Sequence, residues 1–129
     1  MIASAFAYYN YKFAEYKFVN FEEYIFYEKG DIFSPDAENY IVIIFSSNMI
    51  DKESLLKNVN RIYPVLVIDI FQKRFDEEDG VLFVTAPINT LLKFIQKFNI
   101  YEVPSLFVLK RENRTLYKQD SPIEKLNIN

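Results

Sequence analysis

Apolar and polar positions along this chain change period from block to block, and each block predicts a different element. Residues 40–45 form an unbroken apolar run, Tyr-Ile-Val-Ile-Ile-Phe, the pattern of a strand buried on both faces and therefore central in its sheet. From Asp51 onward the apolar positions are Leu55, Leu56, Val59, Ile62, Tyr63, Leu66, Val67, Ile70, Phe71 and Phe75, a helical spacing. Pro64 stands inside that stripe, followed by the β-branched Val65, Val67, Ile68 and Ile70, and proline removes an intrahelical hydrogen bond. Two readings fit: one kinked helix over 51–75, or a short helix to Arg61 followed by a strand over 64–71. The continuity of the stripe across the proline favours the kinked helix.

The remaining blocks extend this pattern. Residues 11–19, dense in aromatics, fit a strand or a helix by spacing. The strand is preferred because Asn20 follows as an N-cap, with Glu22 and Glu23 in the first turn of a helix over 20–28 that closes near Gly30. Ser34-Pro35-Asp36 marks 31–39 as a loop, because proline presets φ and Ser or Asp bonds back to the backbone. Residues 81–85 read as a strand. Pro87 or Asn89 opens a helix whose apolar face is Leu91, Leu92, Ile95 and Phe98. After Pro104 come a strand over 106–109, a polar turn over 111–114 and a returning strand over 115–118, and Ser121-Pro122 begins a short final helix. One domain over 11–129, preceded by an extension over 1–10, accounts for the chain.

Composition narrows the chemistry more than the fold. The 129 residues contain no Cys and no His, which removes disulfides, thiolate nucleophiles, Cys-based clusters and the commonest metal ligand and general base. No catalytic residue, metal site or cofactor is expected. A net charge of −3 with no basic run argues against a nucleic-acid partner. The longest apolar runs fall well short of the roughly 18–20 residues that span a bilayer, so no transmembrane segment is expected. Residues 76–79, Asp-Glu-Glu-Asp before Gly80, read as a solvated acidic turn. The Ala5-Phe6-Ala7 pattern is like a signal-peptide cleavage site without a basic flank, which leaves localisation open between the cytoplasm by default and an extracytoplasmic compartment.

The segment Lys97-Phe98-Asn99-Ile100-Tyr101-Glu102-Val103-Pro104-Ser105-Leu106-Phe107-Val108-Leu109 resembles the thioredoxin family, in which a helix, a hydrophobic-Pro step and an apolar strand follow one another in this order. The resemblance implies an α/β, thioredoxin-like fold: a central mixed sheet of four to five strands flanked by helices, with a cis bond at Val103-Pro104. Asn99 replaces the family's usual Gly, and Asn is the side chain that best tolerates the left-handed conformation at a helix end. Placing 40–45 as the family's central strand puts Met49 and Lys52 at its two cysteine positions, and Ile43 where many members bury an aspartate. Dithiol exchange needs an attacking and a resolving thiol, so the implied protein is redox-inactive.

The functional expectation is a protein-binding or assembly module. By the resemblance, an extended peptide or partner would pair with Val103 beside the cis proline, in a groove lined by Met49, Ile50, Pro104 and Ser105. The adaptable thioether of Met49 suits a non-covalent site. Ten Tyr and thirteen Phe, among them Phe6, Tyr8, Tyr9, Tyr11, Phe13, Tyr16, Phe18 and Phe21, offer a second surface for a homo-oligomer. The alternative is a ligand-binding or transferase-type protein that uses the hydroxyls of Ser46 and Ser47 near a bound thiol such as glutathione; helix capping by the same serines competes with that reading.

Overall fold

A computed structural model describes residues 17–28, 31–57, 59, 62–71, 80–100 and 102–125. The central element is the strand read from the apolar run. It covers Asn39–Phe45, and Tyr40 to Phe45 are all buried. Eight further strands are described: β1 (Phe18–Asn20), β2 (Tyr27–Glu28), β3 (Asp31–Ile32), then after the central β4 come β5 (Val65–Asp69), β6 (Val81–Val84), β7 (Ser105–Asn113), β8 (Leu116–Gln119) and β9 (Glu124–Lys125). Two helices are described, α1 (Lys52–Leu56) and α2 (Ile88–Lys97).

Seven strands join in one mixed sheet of order β1-β8-β7-β4-β5-β6, with β9 also paired to β7. β4, β5 and β6 run parallel; the pairings of β7 with β4, β8 and β9, and of β1 with β8, are antiparallel. The β2–β3 hairpin touches β6 through a bridge between Tyr27 and Thr85. Among the described residues, nine strands against two helices, one of them five residues long, correct the expectation of a thioredoxin-like α/β fold of four to five strands with flanking helices.

The corrections have local physical causes. The stripe over 51–75 is not one kinked helix: α1 stops at Leu56, and Pro64 leads into β5, whose five residues are all buried. Proline cannot donate to a helix ladder, while Val65, Val67 and Ile68 suit a pleated strand between two neighbours. The predicted helix over 20–28 is one turn, with the amides of Glu23 and Tyr24 bonded to Asn20 O. It gives way to β2 because Phe21 and Phe26 are each drawn into the core, where Phe26 meets Phe94 edge to face at 5.4 Å. Residues 31–32 pair as β3 instead of forming part of a loop, and the predicted final helix is replaced by β9, which pairs Ser105 with Lys125 and Leu106 with Glu124. Leu91 and Phe94 of α2 and Phe98 just past its end are buried whereas Leu92 is 48% exposed, so the inward face is rotated from the predicted one.

The alternation of β4 builds two cores. Tyr40, Val42 and Ile44 join Leu66, Ile68, Phe107 and Leu109 beneath α2, in a cluster that also takes Phe26, Phe94, Phe98 and Tyr117. Ile41, Ile43 and Phe45 point the other way, toward Val65, Val67, Leu55 and Leu56 of α1. The first core is aromatic: Phe94 sits 4.9 Å from Phe98, and Phe98 4.9 Å from Phe107, between ring centroids. Its far end is locked by polar bonds, since the Tyr40 hydroxyl accepts the amides of Asp36 and Ala37 at 3.0 and 3.2 Å and the Tyr117 hydroxyl donates to Ala37 O.

Candidate functional site

Strand register collects the candidate residues at one end of the sheet. Ile44 lies opposite Ser105 and Phe45 opposite Asp69, so the segment after β4, the end of β5 and the start of β7 adjoin one another. The segment after β4 is a tight turn: the amides of Met49 and Ile50 both reach Ser46 O, at 3.0 and 3.2 Å. Asp51 then caps α1, its carboxylate accepting the Ser54 amide at 2.8 Å, and the hydrogen bonds from Ser54 hold that carboxyl below its ordinary range. The capping role considered for Ser46 and Ser47 thus belongs to Asp51.

Asp69 is the residue the sequence reading missed. Its side chain is 2% exposed, and Oδ1 accepts the amides of Ser47 and Phe71, each at 2.9 Å. One buried carboxylate therefore ties the β4–α1 turn to the end of β5. The signal was an acid closing the apolar run Val65-Leu-Val-Ile-Asp69, which has meaning only when 64–71 is read as a strand.

Across from this turn, Val103-Pro104 is cis and Asn99, two residues past α2, holds φ at 54°, the left-handed conformation expected of it. Val103 and Pro104 are half-buried, while Ser105 is buried and its hydroxyl donates to Glu102 O. Met49 is 74% exposed and Ile50 half-buried. Lys52 opens α1. Met49, Ile50, Val103, Pro104 and Ser105 are thus brought to one end of the sheet, with Ser105 contributing to its frame and not to its surface.

The backbone supplies the site's polar capacity. Among the described residues, the amide and carbonyl of Val103 have no hydrogen-bond partner, whereas the outer edge of β7 just beyond is occupied. β9 takes Ser105 and Leu106, the Asp120 amide bonds Val108 O at 2.7 Å, and the Val108 amide bonds Ser121 Oγ at 2.9 Å. A Lys125–Glu102 ion pair at 3.9 Å lies beside this junction.

The serine hydroxyls are differently disposed. Ser46 is 6% exposed and donates to Asn48 Oδ1, and Ser47 Oγ is buried without a partner. Neither hydroxyl is open to a thiol in solution without movement of the turn. Among the described residues, no group of three or more Asp and Glu side chains could hold a metal ion, and the acidic turn over 76–79 lies outside them. No described helix is long and apolar enough to cross a membrane. Of the eight aromatics considered as an assembly surface, Phe18 is 43% exposed beneath Lys118, Phe21 is buried, and the other six lie outside the described residues, as does the extension over 1–10. No family model, curated protein or solved structure matches the chain.

Proposed function

We propose that this protein is a non-catalytic binding module that holds an extended peptide across the end of its sheet, against Val103 and beneath the Met49–Ile50 turn. The observation that carries this reading is the amide and carbonyl of half-buried Val103, without a hydrogen-bond partner among the described residues, at the same end of the sheet as a methionine that is 74% exposed. Exposed apolar surface beside free backbone donors and acceptors is what a peptide in extended conformation satisfies, its main chain supplying hydrogen bonds and its side chains the cover. The absence of Cys and His from the sequence agrees with recognition without covalent chemistry. The framework is pre-formed, because Asp69 and the β9 pairing fix both walls, which lowers the ordering cost of binding.

The test is selection of unstructured peptides from a displayed library on the full chain, followed by fluorescence-anisotropy titration of the winners. Met49→Asp, at an exposed position that leaves folding intact, is expected to weaken selected peptides by about tenfold, with Val103→Asp acting in the same direction. Peptides that bind both variants as tightly as the parent would place recognition elsewhere. Saturable glutathione binding lost in Ser46→Ala or Ser47→Ala would instead select the ligand-binding alternative.

A further inference from the structure

A second feature lies away from the turn, where the chain entering β1 passes the last two turns of α2. Lys17, Tyr24, Lys93, Gln96, Lys97 and Asn99 line an open cleft of about 660 Å³. That volume falls within the roughly 300–1,000 Å³ usual for small-molecule sites. Three of its six described lining residues are lysines and none is acidic, in a protein whose net charge is −3. Among the described residues, none of the three ammonium groups is in an ion pair.

The lysines are mounted on fixed elements. Lys93 and Lys97 stand one turn apart on α2, so they share a face to one side of the buried Leu91 and Phe94. Lys97 Nζ rests 5.3 Å above the Tyr24 ring, and that ring packs edge to face on Phe94 at 6.3 Å. Lys17 is held by Gln119 on both sides of its peptide, through Lys17 O at 2.8 Å and Oε1 at 3.5 Å. Like charges at this spacing repel, and nothing in the described cleft offsets them. The carbonyl end of α2 contributes the equivalent of only about half a negative charge, against three positive ones. The carboxamides of Gln96 and Asn99 and the Tyr24 hydroxyl add neutral donors around the same space.

We infer that this cleft binds a compact, multiply charged anion of metabolite size, bearing phosphate or carboxylate groups. A diphosphate or tricarboxylate would relieve the lysine repulsion and fill a concave space, which a single chloride would not. The site is separate in its residues from the Val103 groove and does not depend on it.

The experiment is calorimetric titration of the full chain with pyrophosphate and, separately, citrate, at low and physiological ionic strength, with amide spectra as a second readout. One-to-one saturable binding is expected, weaker at higher salt, with a raised melting temperature and shifts confined to the neighbourhood of Lys17, Tyr24 and residues 93–99. The double variant Lys93→Gln/Lys97→Gln should weaken binding by about tenfold and Lys17→Gln by about threefold, with Lys57→Gln as an unchanged control. Whichever probe binds more tightly assigns phosphate or carboxylate as the preferred group. Three results would overturn the inference: no saturation with either probe at low salt, equal weakening by Lys57→Gln, or saturation only by an acidic peptide.

Discussion

Replacing Asp69 tests how the candidate site is built. Its Oδ1 accepts the amides of Ser47 and Phe71 at 2.9 Å each, from a side chain that is 2% exposed. Hydrogen bonds to a charged group contribute about 1.5–3 kcal/mol each, and a buried amide left without a partner costs about 1–3 kcal/mol. Asp69→Ala removes the acceptor for both amides, and because the two losses overlap and water enters part of the space, about 3–5 kcal/mol of stability should disappear. Asp69→Asn keeps an oxygen of nearly the same position and volume, exchanging charge-assisted bonds for neutral ones, and should lose only about 1–2 kcal/mol. Urea unfolding followed by far-ultraviolet circular dichroism gives both numbers. Amide hydrogen exchange adds location: protection at Ser47 and Phe71 should fall in Asp69→Ala before protection in the middle of β4 does. Equal destabilisation by Ala and Asn, or a loss under about 1 kcal/mol for Ala, would refute the role given to Oδ1.

Two further perturbations probe the frame on which the sites stand. Burial raises the pKa of both Tyr40 and Tyr117, in Tyr40 against the lowering effect of the Asp36 and Ala37 amides and in Tyr117 against that of Arg111. A group that holds its proton more tightly when folded contributes its full stability below the unfolded value, about pH 10 for tyrosine, and loses it as pH rises through the folded one. Unfolding free energy should therefore fall above about pH 10, and the double Tyr40→Phe/Tyr117→Phe variant should flatten that fall in denaturation curves measured across the alkaline range. At Asn99, where φ is 54°, Asn99→Gly should stay within about 0.5 kcal/mol of the parent while Asn99→Val loses about 1–2 kcal/mol, as read from thermal melts.

The parts of the fold that were legible carry a pattern that tertiary contacts do not overrule. The apolar run of β4 has one solution, a strand flanked on both sides, and α2 keeps its helical period with Pro87 at its start and Asn99 just past its end. Residues 64–71 were ambiguous because a strand buried on both faces has no period of its own, so its apolar positions extended the stripe of α1 by coincidence. Local chemistry held the answer there, in Pro64 and the β-branched residues behind it. At 20–28 and 121–125 local chemistry misled, since Asn20 and Ser121-Pro122 are genuine cap signatures. Asn20 Oδ1 does accept the Glu22 amide at 2.9 Å, but it also accepts from Thr115, 95 residues away, and the chain follows β1 and β8 instead of continuing the turn. Ser121 Oγ accepts the Val108 amide, a partner no local pattern announces. The resemblance to a redox family rested on the helix, proline and strand of 97–109, and among the described residues those elements exist without the layered helices that the family name implies.

Occupation of β7 by its own C-terminal neighbours sets the terms on which any peptide could bind. With β8, Asp120, Ser121 and β9 filling the outer edge from Asn113 to Ser105, a visiting strand cannot extend the sheet there and is left with the two backbone groups of Val103. Two hydrogen bonds at about 1 kcal/mol each, together with about 1.5–3 kcal/mol for covering an apolar side chain such as Met49, leave little after the cost of association. Binding built on those contacts alone would be weak and transient, and selectivity would come from the residue placed over Met49 and Ile50. Removing β9 would change this balance by opening the amide and carbonyl row at Ser105 and Leu106 to a partner strand. The same change would expose an unprotected sheet edge, a known route to aggregation, so the occupied edge protects the fold and would confine any peptide pairing along β7 to one residue.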